Sequence, residues 1–316
     1  MIREDLETQL GRAIKSVEAI STGHSGFTYF VELHDGTRYV LRLPPPGARI
    51  AGPADVVRQG RIMAALNAAG LPVPAIPAMS DQAVIDGRPF VLMEAVDGAR
   101  IEETSKHETP SDIAASAVAV MRRLHALPID RSGIGDEEPV SLQAEMMRWA
   151  WLMQRAPEEL TGRAGELGGL LAAEVPESRA PSVVHGDFHY GNMLFRGSEV
   201  VALLDWEIAQ VGQPLLDLGC LAVVAGRHPG DWPEVVTDEV LALYGVDAAE
   251  MRWYLAMSMY KYASIFGYNL MLHRRGKRPD PMYEQLTDTI MGMIDDGINL
   301  LESSPPILPA RRGGTN

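Results

Sequence analysis

The stretch PSVVHGDFHYGNMLFRGSEVVALLDWE, Pro181 to Glu207, decides how this chain is read. Pro181-Ser182-Val183-Val184 is a short apolar, β-branched run that leads into His185-Gly186-Asp187, and Val200-Val201-Ala202-Leu203-Leu204 leads into Asp205. Runs of this length and composition read as short strands. Each acidic side chain therefore emerges where a strand stops, with Asn192 five residues after Asp187 on the loop between them. Polar groups gathered at strand ends belong to a site, since a packed core has no use for them.

The residue types fit one chemistry. Moving a phosphoryl group onto a hydroxyl needs a carboxylate near the attacking oxygen and hard oxygen ligands for the metal that neutralises developing charge. Asp187 suits the base, Asn192 offers a neutral carbonyl oxygen to magnesium, and Asp205 offers the charged ligand. Protein kinases place the same roles in H-R-D-x-x-x-x-N followed by D-F-G. Here Gly186 stands in place of the Arg, and Trp206-Glu207 in place of Phe-Gly.

An H-G-D-x-x-x-x-N loop followed by D-W-E resembles the aminoglycoside phosphotransferase and choline kinase family, from about Ile20 to the helices before Leu301. The resemblance implies an α+β, bilobal, protein-kinase-like fold. A small N-terminal antiparallel β-sheet lobe (1–95) would bind nucleotide, and a larger, mainly helical C-terminal lobe (96–303) would hold the catalytic groups and the acceptor. A loose tail (304–316) would follow. It also implies ATP and Mg2+ as cofactors and a small-molecule hydroxyl, antibiotic or metabolite, as acceptor, with ATP or GTP left open. Val211 to Gly219 is similar to the family's G-x-P-x-x-D-L segment; its Asp217 reads as a brace for the loop or a helix cap in preference to direct catalysis. His185 resembles the histidine that braces kinase catalytic loops.

Upstream, Ala19 to Val31 reads as a glycine-containing hairpin whose Gly23, Ser25 and Gly26 resemble a nucleotide-positioning loop. The next strand, Thr37 to Leu43, should face Leu41 and Leu43 inward and Arg42 the other way, either as a phosphate clamp or as a solvated strand residue. The helix Ala54 to Ala69 should bring the acid that pairs with that cation, but the sequence reads Arg58-Gln59, so at best an Arg42/Gln59 hydrogen bond is expected, with Asp55 a substitute acid. The strand Arg88 to Glu94 resembles the run into a hinge, with Met93 flanking an adenine pocket and backbone groups of Glu94 and Val96 meeting the base.

Further helices are expected over 111–127, 141–154, 160–173, 233–245, 248–273 and 281–301. Trp149, Trp151, Trp253 and Tyr260 on these helices are either core or acceptor lining, and His125 reads as a core or interhelix histidine. His189, Glu207, His273 and Arg274 are candidate acceptor contacts. The run His273 to Arg278 would suit an anionic acceptor, or else caps a solvated helix end.

The 316 residues carry a formal net charge of −14, which argues against extended nucleic-acid contact. Hydrophobic residues at 46% and charged residues at 22% are ordinary for a soluble globular protein. No run is long enough to span a bilayer, no leader is expected, and a single Cys220 reads as buried packing, so the cytoplasm is the expected compartment. Oligomeric state is left open. Two other readings stand beside the kinase: a nucleotide-binding module with little turnover, motivated by Gln59, and a metal-dependent hydrolase using His185, Asp187 and His189.

Overall fold

A computed structural model describes residues 1–20, 27–225 and 237–303. The expected glycine hairpin tip (Gly23, Ser25, Gly26) and the tail 304–316 lie outside the described residues. In chain order the elements are α1 (Ile2–Leu10), β1 (Ile14–Ala19), β2 (Phe27–Leu33), β3 (Arg38–Leu43), α2 (Val56–Ala68), β4 (Ala78–Ile85), β5 (Arg88–Glu94), α3 (Ile101–Thr104) and α4 (Pro110–His125). Next come α5 (Leu142–Met153), α6 (Glu158–Thr161), α7 (Ala164–Ala173), β6 (Ser182–Val184), β7 (Met193–Arg196), β8 (Glu199–Leu203) and β9 (Gln210–Gly212). The last are α8 (Leu215–Ala225), α9 (Thr237–Tyr244), α10 (Ala248–Arg274) and α11 (Thr287–Glu302). This is the expected α+β class: an N-terminal antiparallel sheet, then mostly helix.

By contacts the described residues form two compact units, one from within 1–141 and 178–245, the other from within 142–177 and 246–303. In the first, five antiparallel strands run in the order β1-β2-β3-β5-β4. Alternation along the strands puts Val31, Leu33, Leu41, Leu43, Phe90 and Leu92 on one face, where Leu6 of α1, Ile14 and Ile85 complete a core. Arg42 therefore lies on the opposite face, paired in register with Thr28 and Val91.

That opposite face takes α2. Asp55 caps the helix by accepting from the Arg58 amide at 2.9 Å, and Ile62, Met63 and Leu66 are buried. Gly60 lets the helix come close, because a Cβ there would lie 2.6 Å from Cγ2 of Val91. Beyond the sheet, β6 pairs with β9 and β7 with β8, two short ribbons that carry the loops of the site.

The second unit is helical. Its axis is α10, 27 residues long and buried on most sides, which explains why its apolar residues show little one-sidedness. Trp253 Nε1 donates to the Leu171 carbonyl at 2.9 Å, and Gly297 brings α11 against Leu167, whose Cδ2 would sit 2.9 Å from an added Cβ. Trp149, Trp253 and Tyr260 are buried, whereas Trp151 is exposed and stacks beneath Arg155. Two expected helices begin differently. The 160–173 segment breaks at Gly162 into α6 and α7, and 281–301 opens with a tighter 3-10 stretch over Pro281–Leu286, capped by Asp280. No described helix is long and apolar enough to cross a membrane.

Gly60→Ala tests the close approach of α2. A methyl gains about 1 kcal/mol of helix propensity but overlaps stiff Val91, so a net loss of about 1–2 kcal/mol in denaturant unfolding is expected. In a Val91→Ala background the same change should cost less, and simple additivity in that cycle would exclude the contact.

Candidate active site

β6 ends at Val184, and the next three residues form the loop. His185 is fully buried. Its Nδ1 accepts from the Asp187 amide at 3.2 Å and its Nε2 donates to the Leu204 carbonyl at 2.8 Å, a pattern only the neutral imidazole protonated at Nε2 can make. Burial pushes its pKa down, against the pull of Asp217, the Leu204 carbonyl, Asp187 and Asp205. Edge contacts with Trp206 (4.6 Å between centroids) and Phe188 (6.0 Å) complete its packing. Gly186 has φ +84°, and a Cβ there would sit 2.7 Å from the Ile208 carbonyl oxygen. An Arg is excluded at this position by main-chain sterics.

Asp187 and Asn192 meet directly. Asn192 Nδ2 donates to the Asp187 carbonyl at 2.9 Å and to its carboxylate Oδ2 at 3.2 Å, which leaves the Asn192 side-chain oxygen as the atom to offer a cation. The Asn192 main-chain carbonyl accepts from Leu204 N at 2.8 Å, tying the loop to the end of β8 beside Asp205. His189 Nδ1 accepts from Gly191 N at 3.1 Å, and its Nε2 stands 3.3 Å from Asp187 Oδ2. His189 is thus a neighbour of the Asp187 carboxylate as well as a loop residue.

Asp205 has φ 63°, a left-handed conformation that non-glycine residues adopt at a cost and that Asp tolerates better than most. Trp206 beside it is fully buried, with Nε1 donating to the Leu203 carbonyl at 3.1 Å. The residues on either side of this anchor both reach Arg42. Its Nη1 and Nη2 lie 3.4 and 3.5 Å from Asp205 Oδ1, and Nη2 lies 3.3 Å from Glu207 Oε2. The Arg42 side chain is only 12% exposed, so the solvated-strand alternative fails. Gln59 makes no bond to Arg42: it is buried, and its amide donates to the Pro53 carbonyl at 2.9 Å. Asp55 is occupied with its cap, and Arg58 binds Glu137 at 2.6 Å and the Ala209 carbonyl at 2.8 Å.

Asp217, in the first turn of α8, is fully buried. Oδ2 accepts the His185 amide and Oδ1 the Gly186 amide, both at 2.8 Å, so two adjacent loop amides are held from α8. Asp217 makes a third side-chain contact. His125, at the end of α4, lies 3.2 Å through Nε2 from Asp217 Oδ2, while its Nδ1 meets the Tyr244 hydroxyl at 2.8 Å. Nothing in the helical spacing around His125 separates this role from ordinary interhelix packing. Cys220, buried as expected, places Sγ 3.7 Å from the Gly186 carbonyl.

At the expected hinge, Met93 is buried and Glu94 exposed. The Glu94 amide is already used by the Ala75 carbonyl at 2.9 Å, so a base at this edge would depend on the Val96 amide and on carbonyl groups. In the second unit, the Arg274 guanidinium is committed to Glu284 (2.8 and 2.9 Å) and Glu159 (2.7 Å), and His273 Nδ1 accepts from Asp280 N at 2.8 Å. Both side chains are thus engaged with protein groups near the C-terminal end of α10.

The loop and the sheet thus bring together Asp187 with Asn192, and Asp205 and Glu207 with the strand cation Arg42. The model of the phosphotransferase enzyme family, APH, matches residues 16–254, and the chain belongs to that family. A Ralstonia eutropha JMP134 protein assigned as an aminoglycoside phosphotransferase superposes with a TM-score of 0.77 at 24% identity, over 94% of this chain and 97% of that one. A thermostable mutant of aminoglycoside phosphotransferase APH(4)-Ia, solved with ADP and hygromycin B, gives 0.65 at 15% identity, over 96% and 99%. Acyl-CoA dehydrogenase family member 11 of Rattus norvegicus is 26% identical over 95% of this chain, which spans 42% of that relative's length.

Asp217→Ala should leave two buried amides without acceptors, at about 1–3 kcal/mol each, read by denaturant unfolding. His185 makes a separate pH prediction. Its folded-state pKa lies below its ordinary 6.5, so as pH falls through 6.5 the unfolded chain takes up the proton first. The stability held by neutral His185 is complete above that pH and is lost on acidification below it. His185→Gln should flatten the fall in melting temperature between pH 7 and pH 5, and an unchanged slope would rule the linkage out.

Proposed function

We propose that this chain transfers the γ-phosphoryl group of ATP to a hydroxyl of a small molecule. The observation that carries the reading is the double anchorage of Asn192, whose amide holds Asp187 at 2.9 and 3.2 Å while its main-chain oxygen holds the residue before Asp205 at 2.8 Å. A base and two oxygen donors are thereby kept on one framework. Asp187 would orient the acceptor hydroxyl and take its proton. Asn192 and Asp205 would hold magnesium, an all-oxygen donor set that suits a hard cation, and Arg42 would meet the phosphates. The bound metal and nucleotide supply charge neutralisation and the transferable group; the chain supplies position.

The functional division we propose is a nucleotide lobe over 1–95 and a catalytic and acceptor lobe over 96–303, with Gly23, Ser25 and Gly26 over the phosphates and Met93, Glu94 and Val96 along the base. The hydrolase alternative loses its support, since both ring nitrogens of His185 are engaged inside the protein. For the acceptor, the rat relative's name points to acyl-CoA compounds, which favours a hydroxyacyl thioester or hydroxy acid ahead of an aminoglycoside. A soluble, cytoplasmic enzyme would meet both ATP and such metabolites.

Purified protein with magnesium and ATP should phosphorylate at least one member of a panel of hydroxyacyl thioesters, hydroxy acids and aminoglycosides. Asp187→Ala should lower kcat on that acceptor by about 10²–10⁴-fold with nucleotide affinity nearly unchanged. Full activity in Asp187→Ala would refute the assigned base.

A further inference from the structure

We infer that Glu207 is the positioning acid of Arg42, taking the part that a helix-borne glutamate takes in protein kinases. The inference rests on the proposed function, in which Arg42 meets the nucleotide phosphates.

The helix that should carry the acid carries none. From Val56 to Ala68 the sequence VVRQGRIMAALNA contains no Asp or Glu. Its cap, Asp55, is bound to Arg58 N, and Gln59 is neutral, buried and bonded to Pro53. Meanwhile the guanidinium of Arg42 sits at 12% side-chain exposure, where a cation is costly without an anionic partner. Asp205 and Glu207 supply that partner, at 3.4 and 3.3 Å.

These two acids have different futures. Asp205 is the acid that would be shared with the metal, and so would be the less dependable partner of Arg42 once nucleotide is bound. Glu207 keeps hold. Its place is set by the residue between them, since fully buried Trp206, bonded to the Leu203 carbonyl and packed on the His185 ring, is fixed in the core while its neighbours emerge toward Arg42. An acid delivered by the magnesium loop thus aims the phosphate-binding cation. On this inference Glu207 acts on the nucleotide side of the site, where the sequence alone suggests an acceptor contact.

The test is a double-mutant cycle between Arg42→Gln and Glu207→Gln, read as the magnesium-ATP dissociation constant by calorimetry and as KM for ATP and for the acceptor. Glu207→Gln is close to isosteric, and thermal unfolding checks that it folds. Losing one charge-assisted bond should weaken magnesium-ATP binding about tenfold, with KM for the acceptor and half-saturating Mg2+ unchanged. In the Arg42→Gln background, Glu207→Gln should have no further effect. Additive effects in the cycle, a shift in acceptor KM alone, or a raised requirement for Mg2+ at constant ATP affinity would each overturn the assignment, the last by making Glu207 a metal ligand. Calorimetry needs no turnover, so a wild type that binds nucleotide yet phosphorylates nothing would refute the proposed transfer while leaving this cycle readable.

Discussion

A single carboxylate without solvent exposure sets the loop on which everything else is hung. Asp217 accepts two consecutive main-chain N–H groups, those of His185 and Gly186, from the first turn of α8. Two bonds to adjacent amides fix both position and twist of the chain, which one bond could not. The buried charge that results is tolerable because it is saturated with donors, His125 among them. The loop is thereby tied to α4 through His125 and to α9 through Tyr244.

From that anchor the geometry propagates by short steps. Gly186 occupies a left-handed turn that no side chain could share with the Ile208 carbonyl, and His185 in turn grips the Asp187 amide and the Leu204 carbonyl with its two ring nitrogens. Leu204 N holds Asn192. Asp205 then leaves β8 in a left-handed conformation, and Trp206 returns the chain to the core. Each functional candidate on this stretch is placed by main-chain bonds made by its neighbours, although the segment lacks long secondary structure.

Much of this could be read before any coordinates. The apolar runs before Asp187 and Asp205, the alternation at Leu41, Arg42 and Leu43, and the 3.6-residue period of α4 are local signals, and from them element type and the facing of Arg42 can be read. What escaped has a common cause. The strands β7 and β9 are three or four residues long and are defined by their partners, and β4 carries a polar, weakly alternating sequence. The pairing of Arg42 with Glu207 spans 165 residues, and the link from His125 to Asp217 spans 92. No window along the chain contains both ends of either contact. Gln59 was legible as an irregularity, but where the missing charge had gone was not.

The close seating of α2 carries one more consequence. With Gly60 against Val91, Arg58 clamped to Glu137 and no acid along its length, this helix is fastened to its neighbours and has no charge to deliver. Kinases that are switched on by swinging such a helix inward depend on a loose element bearing a decisive glutamate. α2 carries no such glutamate and is seated closely on Val91 and Glu137, so a switch of that kind has nothing in this helix to work through.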